Sequence, residues 1–152
     1  MISGNQKDYR LVTDLYHIGK ESSIEFKISS GINFGYNSLK MDEERSARTI
    51  IASKFSFLTQ TAPQATQTFI IIKISCGNGK VWSGGQRTEV LAITTFEAEQ
   101  GGWYIWQLRG ESGDHIDLDP MAQQFTISFW TLNNEKYVFD APYLIQLSIL
   151  DN

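Results

Sequence analysis

Cysteine is all but missing. Cys76 is the only one among 152 residues, so no intrachain disulfide can form. A lone thiol fits a reducing compartment. Long apolar runs are missing as well. None exceeds four residues (69–72 and 90–93), far short of the ~20 that a membrane-spanning helix needs. The opening residues Met1, Ile2, Ser3, Gly4, Asn5 and Gln6 contain no apolar leader segment, so export by a classical signal is not expected. Ile2 stands where N-myristoylation requires glycine. Positive charge is not in surplus. Lys and Arg number 13 against 17 Asp and Glu, for a net charge of -4, and no stretch is polybasic. Nothing electrostatic favours nucleic acid or an anionic membrane. Ala, Leu and Glu dominate no long window, so extended helices are not expected.

What is present points to strands. Apolar residues make up 41% of the chain, enough for a packed core without a metal. Phe, Tyr and Trp number 9, 6 and 4, alongside many Ile and Thr. Branched and aromatic side chains suit a pleated, half-buried surface. Residues 1–7 are polar and aperiodic and read as an arm, followed by a β-sandwich domain over 8–152. Residues 9–18 form a first strand, with an irregularity near Asp14. Ile24, Phe26 and Ile28 alternate with polar residues, the pattern of a half-buried strand. Residues 29–37 read as a loop, and 41–48 as a short charged helical turn. The long strand over 48–60 places Ile51, Phe55 and Phe57 on one face and Ile50, Ala52 and Leu58 on the other. Residues 68–75 are apolar on both faces, which predicts a central strand with both sides covered. Gly77–Gly79 and Gly84–Gly85 mark turns around a short return at 80–82. Further strands follow at 87–96, 103–109 and 115–118, with turns at 97–102 and 110–114. Phe125, Ile127 and Phe129 alternate inward in a strand over 124–132. Asn133 and Asn134 suit a hairpin turn leading to 136–139, and 143–150 is the last strand. Short strands at turn spacings near ten residues, without helices between them, predict an all-β fold. The expected form is an antiparallel two-sheet sandwich, and eight main strands fit a jelly roll.

The chemistry-bearing residues are sparse. No G-x-S-x-G elbow is present, and Cys76 has no neighbouring base or cation to lower its pKa, so it reads as structural. The chain is expected not to be an enzyme and to need no cofactor. Asp114, Asp117 and Asp119 with Glu111 carry oxygen ligands that Ca²⁺ uses, but the spacing lacks a loop pattern that forces convergence. The expectation there is a solvated acidic turn and no metal site. The aromatics offer more. Trp82, Trp103, Tyr104, Trp106 and Trp130 are large flat rings. In 103–106, Trp103 and Ile105 share one face while Tyr104 and Trp106 share the other, so one pair should be exposed. Trp130 lies opposite the Phe125, Ile127 and Phe129 face. Exposed rings in such numbers predict a contact surface, for protein or for sugar.

Trp106-Gln107-Leu108-Arg109-Gly110-Glu111-Ser112-Gly113-Asp114-His115-Ile116-Asp117-Leu118, followed by Phe125-Thr126-Ile127-Ser128-Phe129, resembles the late hairpin of small single-jelly-roll structural proteins of some DNA viruses. There a strand ends in an acidic glycine turn, resumes as an apolar-Asp-Leu step and leads into an alternating strand. The likeness is confined to those two segments. It departs from the pattern in that residues 130–152 follow the hairpin, which in those proteins tends to close the chain. The resemblance implies a coat, vertex or minor capsid component, located in a virion or the cytoplasm. Partners would be copies of this chain or other shell proteins, and a carbohydrate-binding module is the alternative. Independently of the resemblance, the arm over 1–10 is expected to add a strand to a neighbour's sheet edge, with Trp106 or Trp130 at a chain–chain contact.

Overall fold

The computed structural model describes residues 10–30, 38–41, 48–76, 88–108, 115–118 and 124–151. Most of these residues lie in strands. Ten strands run in chain order: β1 (Arg10–Gly19), β2 (Ser23–Ser30), β3 (Ser38–Met41), β4 (Arg48–Thr59), β5 (Phe69–Cys76), β6 (Thr88–Gln100), β7 (Trp103–Gln107), β8 (His115–Leu118), β9 (Gln124–Trp130) and β10 (Tyr143–Asp151). One short 3₁₀ turn, Ala65–Gln67, interrupts the loop between β4 and β5. The fold is all-β, as the strand periodicity predicted.

The strands form one strongly curled sheet in the order β1-β10-β4-β7-β6-β5-β9-β2-β3. β8 pairs with the first half of β4, on the same edge that β7 occupies further along. Every pairing is antiparallel except that of β2 with β3. The pairing is nested. β5 lies against β6, β4 against β7, β2 against β9 and β1 against β10, so the chain is one long hairpin that has been rolled up. Rolling brings the far ends of the sheet together. β1 and β2 stand at opposite ends of the order, yet only residues 20–22 connect them, a span of at most ~14 Å. Two hydrogen bonds anchor that connection to both halves of the sheet. The Tyr143 hydroxyl donates to the Glu21 carbonyl at 2.6 Å, and the Phe129 amide donates to the Ser22 carbonyl at 3.0 Å.

The core fills the inside of the curl. β5 contributes Ile70, Ile72 and Ile74, β9 contributes Phe125, Ile127 and Phe129, and β10 contributes Tyr143, Ile145, Leu147 and Ile149. Each such side chain gains about 1.5–3 kcal/mol on leaving water. At one end the rings meet edge to face. Phe139 packs on Phe57 at 5.0 Å and on Phe129 at 5.3 Å, both near 90°. Such pairs add about 0.5–1.5 kcal/mol beyond their area.

Several expectations change in detail. In β4 the inward residues are Ile50 and Ala52, then Phe55, Phe57 and Thr59. The ladder with β10 skips a residue between Ala52 and Lys54, so a β-bulge shifts the alternation by one. Ile51 therefore does not share a face with Phe55. β5 is central, between β6 and β9, with one face fully buried; on the other, Phe69 and Ile71 are only partly covered. β6 runs on to Gln100 instead of ending at Phe96. Gly101 and Gly102 alone make the turn, with φ of 58° and 86°. Positive φ at both positions is the geometry of a tight hairpin whose twist matches the strands. The strand expected over 136–139 is reduced to a single bridge between Trp130 and Lys136, although Tyr137 and Phe139 are still buried. Met41, the first residue of the helical turn expected over 41–48, instead ends β3, whose residues Ser38–Met41 pair with β2. The rest of that turn (42–47), the arm over 1–7, the glycine turns near 77–85 and most of the acidic turn lie outside the described residues.

Candidate interaction surface

Strand alternation that buries one set of residues turns the other set outward. In the half formed by β1, β10, β4 and β7, that outer set is unusually apolar. Tyr16 and Ile18 on β1, Leu144 on β10, Leu58 on β4, and Ile105 and Trp103 on β7 all belong to it. Ile18 pairs with Leu144, Leu144 stands opposite Ser56, and Leu58, the next outward residue of β4, pairs with Ile105, so the residues run diagonally across the four strands through Ser56. Ile18 is 67% exposed, Leu58 48% and Trp103 43%. A shallow depression of about 150 Å³ is lined by Ile18, Ser56, Leu58, Pro142 and Leu144, none of them charged. Contiguous exposed apolar surface of this kind characterises contact sites.

The predicted ring residues are dispersed rather than gathered. Trp103 joins the apolar stripe. Trp106 has no exposed surface and packs against Phe57 at 5.3 Å and Phe96 at 5.4 Å. It is a core residue and not a surface contact, because the inward parity of β7 falls on Tyr104 and Trp106. Tyr104 is half-buried beside Phe96. Trp82 lies outside the described residues. Trp130 sits on the outer face of the other half of the sheet, half-buried. The ammonium groups of Lys73 and Lys136 lie 4.6 and 5.2 Å from its ring centre, within cation–π range. Its indole N–H donates to Ser128 at 2.7 Å. Lys73 also donates to Asn134, and Lys136 to Ser23.

A polar corner lies where the chain between β9 and β10 crosses the end of β4. The Thr59 hydroxyl donates to the Asp140 carboxylate at 2.9 Å, and the Thr61 amide donates back to the Thr59 hydroxyl at 3.1 Å. Burial works to raise the Asp140 pKa, but hydrogen bonds from Thr61 and Thr59 outweigh it and hold the carboxyl below its ordinary value. Burial, with the Asp140 charge nearby, pushes the Tyr137 phenol up to about 12. At the β1–β2 corner, burial and then the Glu21 charge raise Tyr143. Glu21 is itself lowered by its backbone hydrogen bond and by His17, whose Nε2 lies 3.2 Å away.

Sequence reasoning missed Ile18, Leu58 and Leu144. The signal was available: each is a large apolar residue on the parity opposite the core. Their convergence depends on the strand order, which periodicity does not reveal. Among the described residues no three His, Cys, Asp or Glu side chains are grouped to hold a metal, and no helix is long and apolar enough to cross a membrane. Comparison with known proteins finds no matching family model and no matching curated protein.

Proposed function

We propose that this protein is a non-enzymatic assembly protein, most concretely a viral coat or vertex component. It packs against copies of itself through the outer face of β1, β10, β4 and β7. The observation that carries the reading is the uncharged stripe of Ile18, Leu144, Leu58, Ile105 and Trp103 across that face. A second copy is the occupant best matched to it, since an apolar face meeting its own kind by a two-fold axis needs no charge complement. The finer fold belongs to the same proposal. Eight main strands, paired as a nested hairpin and divided into β1-β10-β4-β7 and β6-β5-β9-β2, support a jelly roll. That architecture recurs in viral capsid domains and in lectins. A stable contact would bury more than ~1,000 Å² in total.

Sedimentation velocity over a concentration series tests the reading. The wild-type chain associates as concentration rises. The double variant Ile18→Asp, Leu58→Asp stays monomeric with an unchanged melting curve, because both side chains already face water. A wild-type chain that sediments as a monomer at its highest soluble concentration would overturn the proposal.

A further inference from the structure

Trp106 has no exposed surface, yet its indole Nε1 has no hydrogen-bond partner. Buried donors in folded proteins are nearly always satisfied, so an orphan N–H calls for an occupant. Trp106 also lines a cavity of about 80 Å³, whose polar wall is made by Thr59, Thr61, Gln67, Tyr137 and Asp140. Four segments build the site. The end of β4 supplies Thr59, the loop after it Thr61 and Gln67, β7 supplies Trp106, and the segment before β10 supplies Tyr137 and Asp140. Val138, 80% exposed, stands at the mouth beside Ala62 and Pro63, giving the entrance an apolar rim.

The wall discriminates between ligand chemistries. An ammonium or guanidinium would pair with Asp140 but would leave the indole donor facing another donor. A carboxylate or phosphate would accept from the indole but would meet the Asp140 charge. A hydroxyl both donates and accepts, so it can satisfy the two groups together. The cavity volume matches two or three water molecules at ~30 Å³ each, which is also the size of a short diol edge and too small for a whole sugar ring. We propose that this cavity binds a neutral polyhydroxylated ligand, a saccharide that inserts a vicinal diol. One hydroxyl donates to the Asp140 carboxylate and another accepts from the Trp106 indole N–H, while ring C–H groups rest on Val138 at the rim. The site shares none of the residues of the assembly stripe, so the two readings stand or fall separately.

The test is a titration of the full-length, ¹⁵N-labelled chain, following the Trp106 indole N–H resonance. That resonance is identified by Trp106→Phe or, should that variant not fold, by its through-space contacts to Phe57 and Phe96. The probes are glycerol and methyl α-D-mannopyranoside, with sodium acetate and ethylammonium chloride as charged controls. Both diols are expected to shift the resonance saturably, with millimolar affinity, and neither charged probe should do so. Asp140→Asn should weaken the diols about tenfold, and Thr61→Val, at the exposed rim, severalfold. The inference is overturned if the resonance does not respond to either diol, as it would if the cavity held only water. It is equally overturned if acetate or ethylammonium binds as well as the diols, or if Asp140→Asn binds them unchanged.

Discussion

Ile72 lies at the middle of β5 with no exposed surface, between the ladders to β6 and β9. Truncation to Ala leaves a void that neighbours on both sides hold open. Ile72→Ala should therefore cost about 2–5 kcal/mol in chemical denaturation, and a loss well under 1 kcal/mol would mean that the core collapses around the gap. The titrating groups define the pH limits of stability. Tyr137 moves from the ordinary phenol value of 10 up to about 12. A raised folded value means that its contribution is intact below pH 10 and is lost as pH rises from about 10 through 12. Asp140 and Glu21 are lowered, so their contribution is present above the ordinary carboxylate value and disappears as pH falls through the folded one. The melting temperature should thus fall at both extremes. Tyr137→Phe should flatten the alkaline limb, and Glu21→Gln the acid limb. An alkaline limb unchanged by Tyr137→Phe would assign that limb to other groups. At this scale the sequence was informative about pattern and silent about direction. In 103–106 every residue is apolar, so alternation separates two faces without saying which is inside. Trp106 proved to be core and Trp103 surface because β7 lies beside β4 in a register that turns Trp106 onto Phe57.

The turn between β6 and β7 shows how a local element depends on two residues. Gly101 and Gly102 both take positive φ, and a Cβ at either position would meet nothing within 4 Å. Any cost of substitution is therefore conformational and not steric crowding by neighbours. Gly102→Ala should destabilise the protein by roughly 1–2 kcal/mol, whereas Gln100→Ala, one residue earlier in an extended strand, should be nearly neutral. Equal effects in thermal melts would show that the turn adopts another geometry. The glycine pair was visible in the sequence, but the strand entering it was expected to stop at Phe96. The ladder of β6 with β7 carries a bulge between Phe96 and Ala98, and that extra residue breaks the alternation which would have extended the strand. The bulge in β4 masked its face in the same way. Strands without bulges in their inner stretch, β2 and β9, were legible from period-two alternation alone. β3 was not: Ser38–Met41 alternates over four residues only, too short a run to mark a strand by itself.

Nested pairing governs the whole molecule. β5 and β6 meet across one connection, but β1 and β10 pair Arg10 with Asp151, the two ends of the described chain. Each successive pair outward closes a longer loop, and its entropy must be met before its contacts form. Folding should therefore proceed from the inner pairs outward and take milliseconds to seconds, the range of sheets dominated by non-local contacts. β10 joins last on this argument, although it lies between β1 and β4 and buries Ile145, Leu147 and Ile149 completely. Its interactions should be absent from the transition state and present in the native state. Leu147→Ala is the informative variant, since it deletes core contacts of β10 alone and leaves the inner pairs intact. It should speed unfolding in proportion to its stability loss of about 2–5 kcal/mol and leave the refolding rate within about twofold of wild type. Ile72→Ala, in the inner pair, should slow refolding instead. Stopped-flow chevron measurements on the two variants separate these outcomes. A Leu147→Ala chevron displaced mainly in its refolding arm would place β10 in the nucleus and reverse the order of assembly.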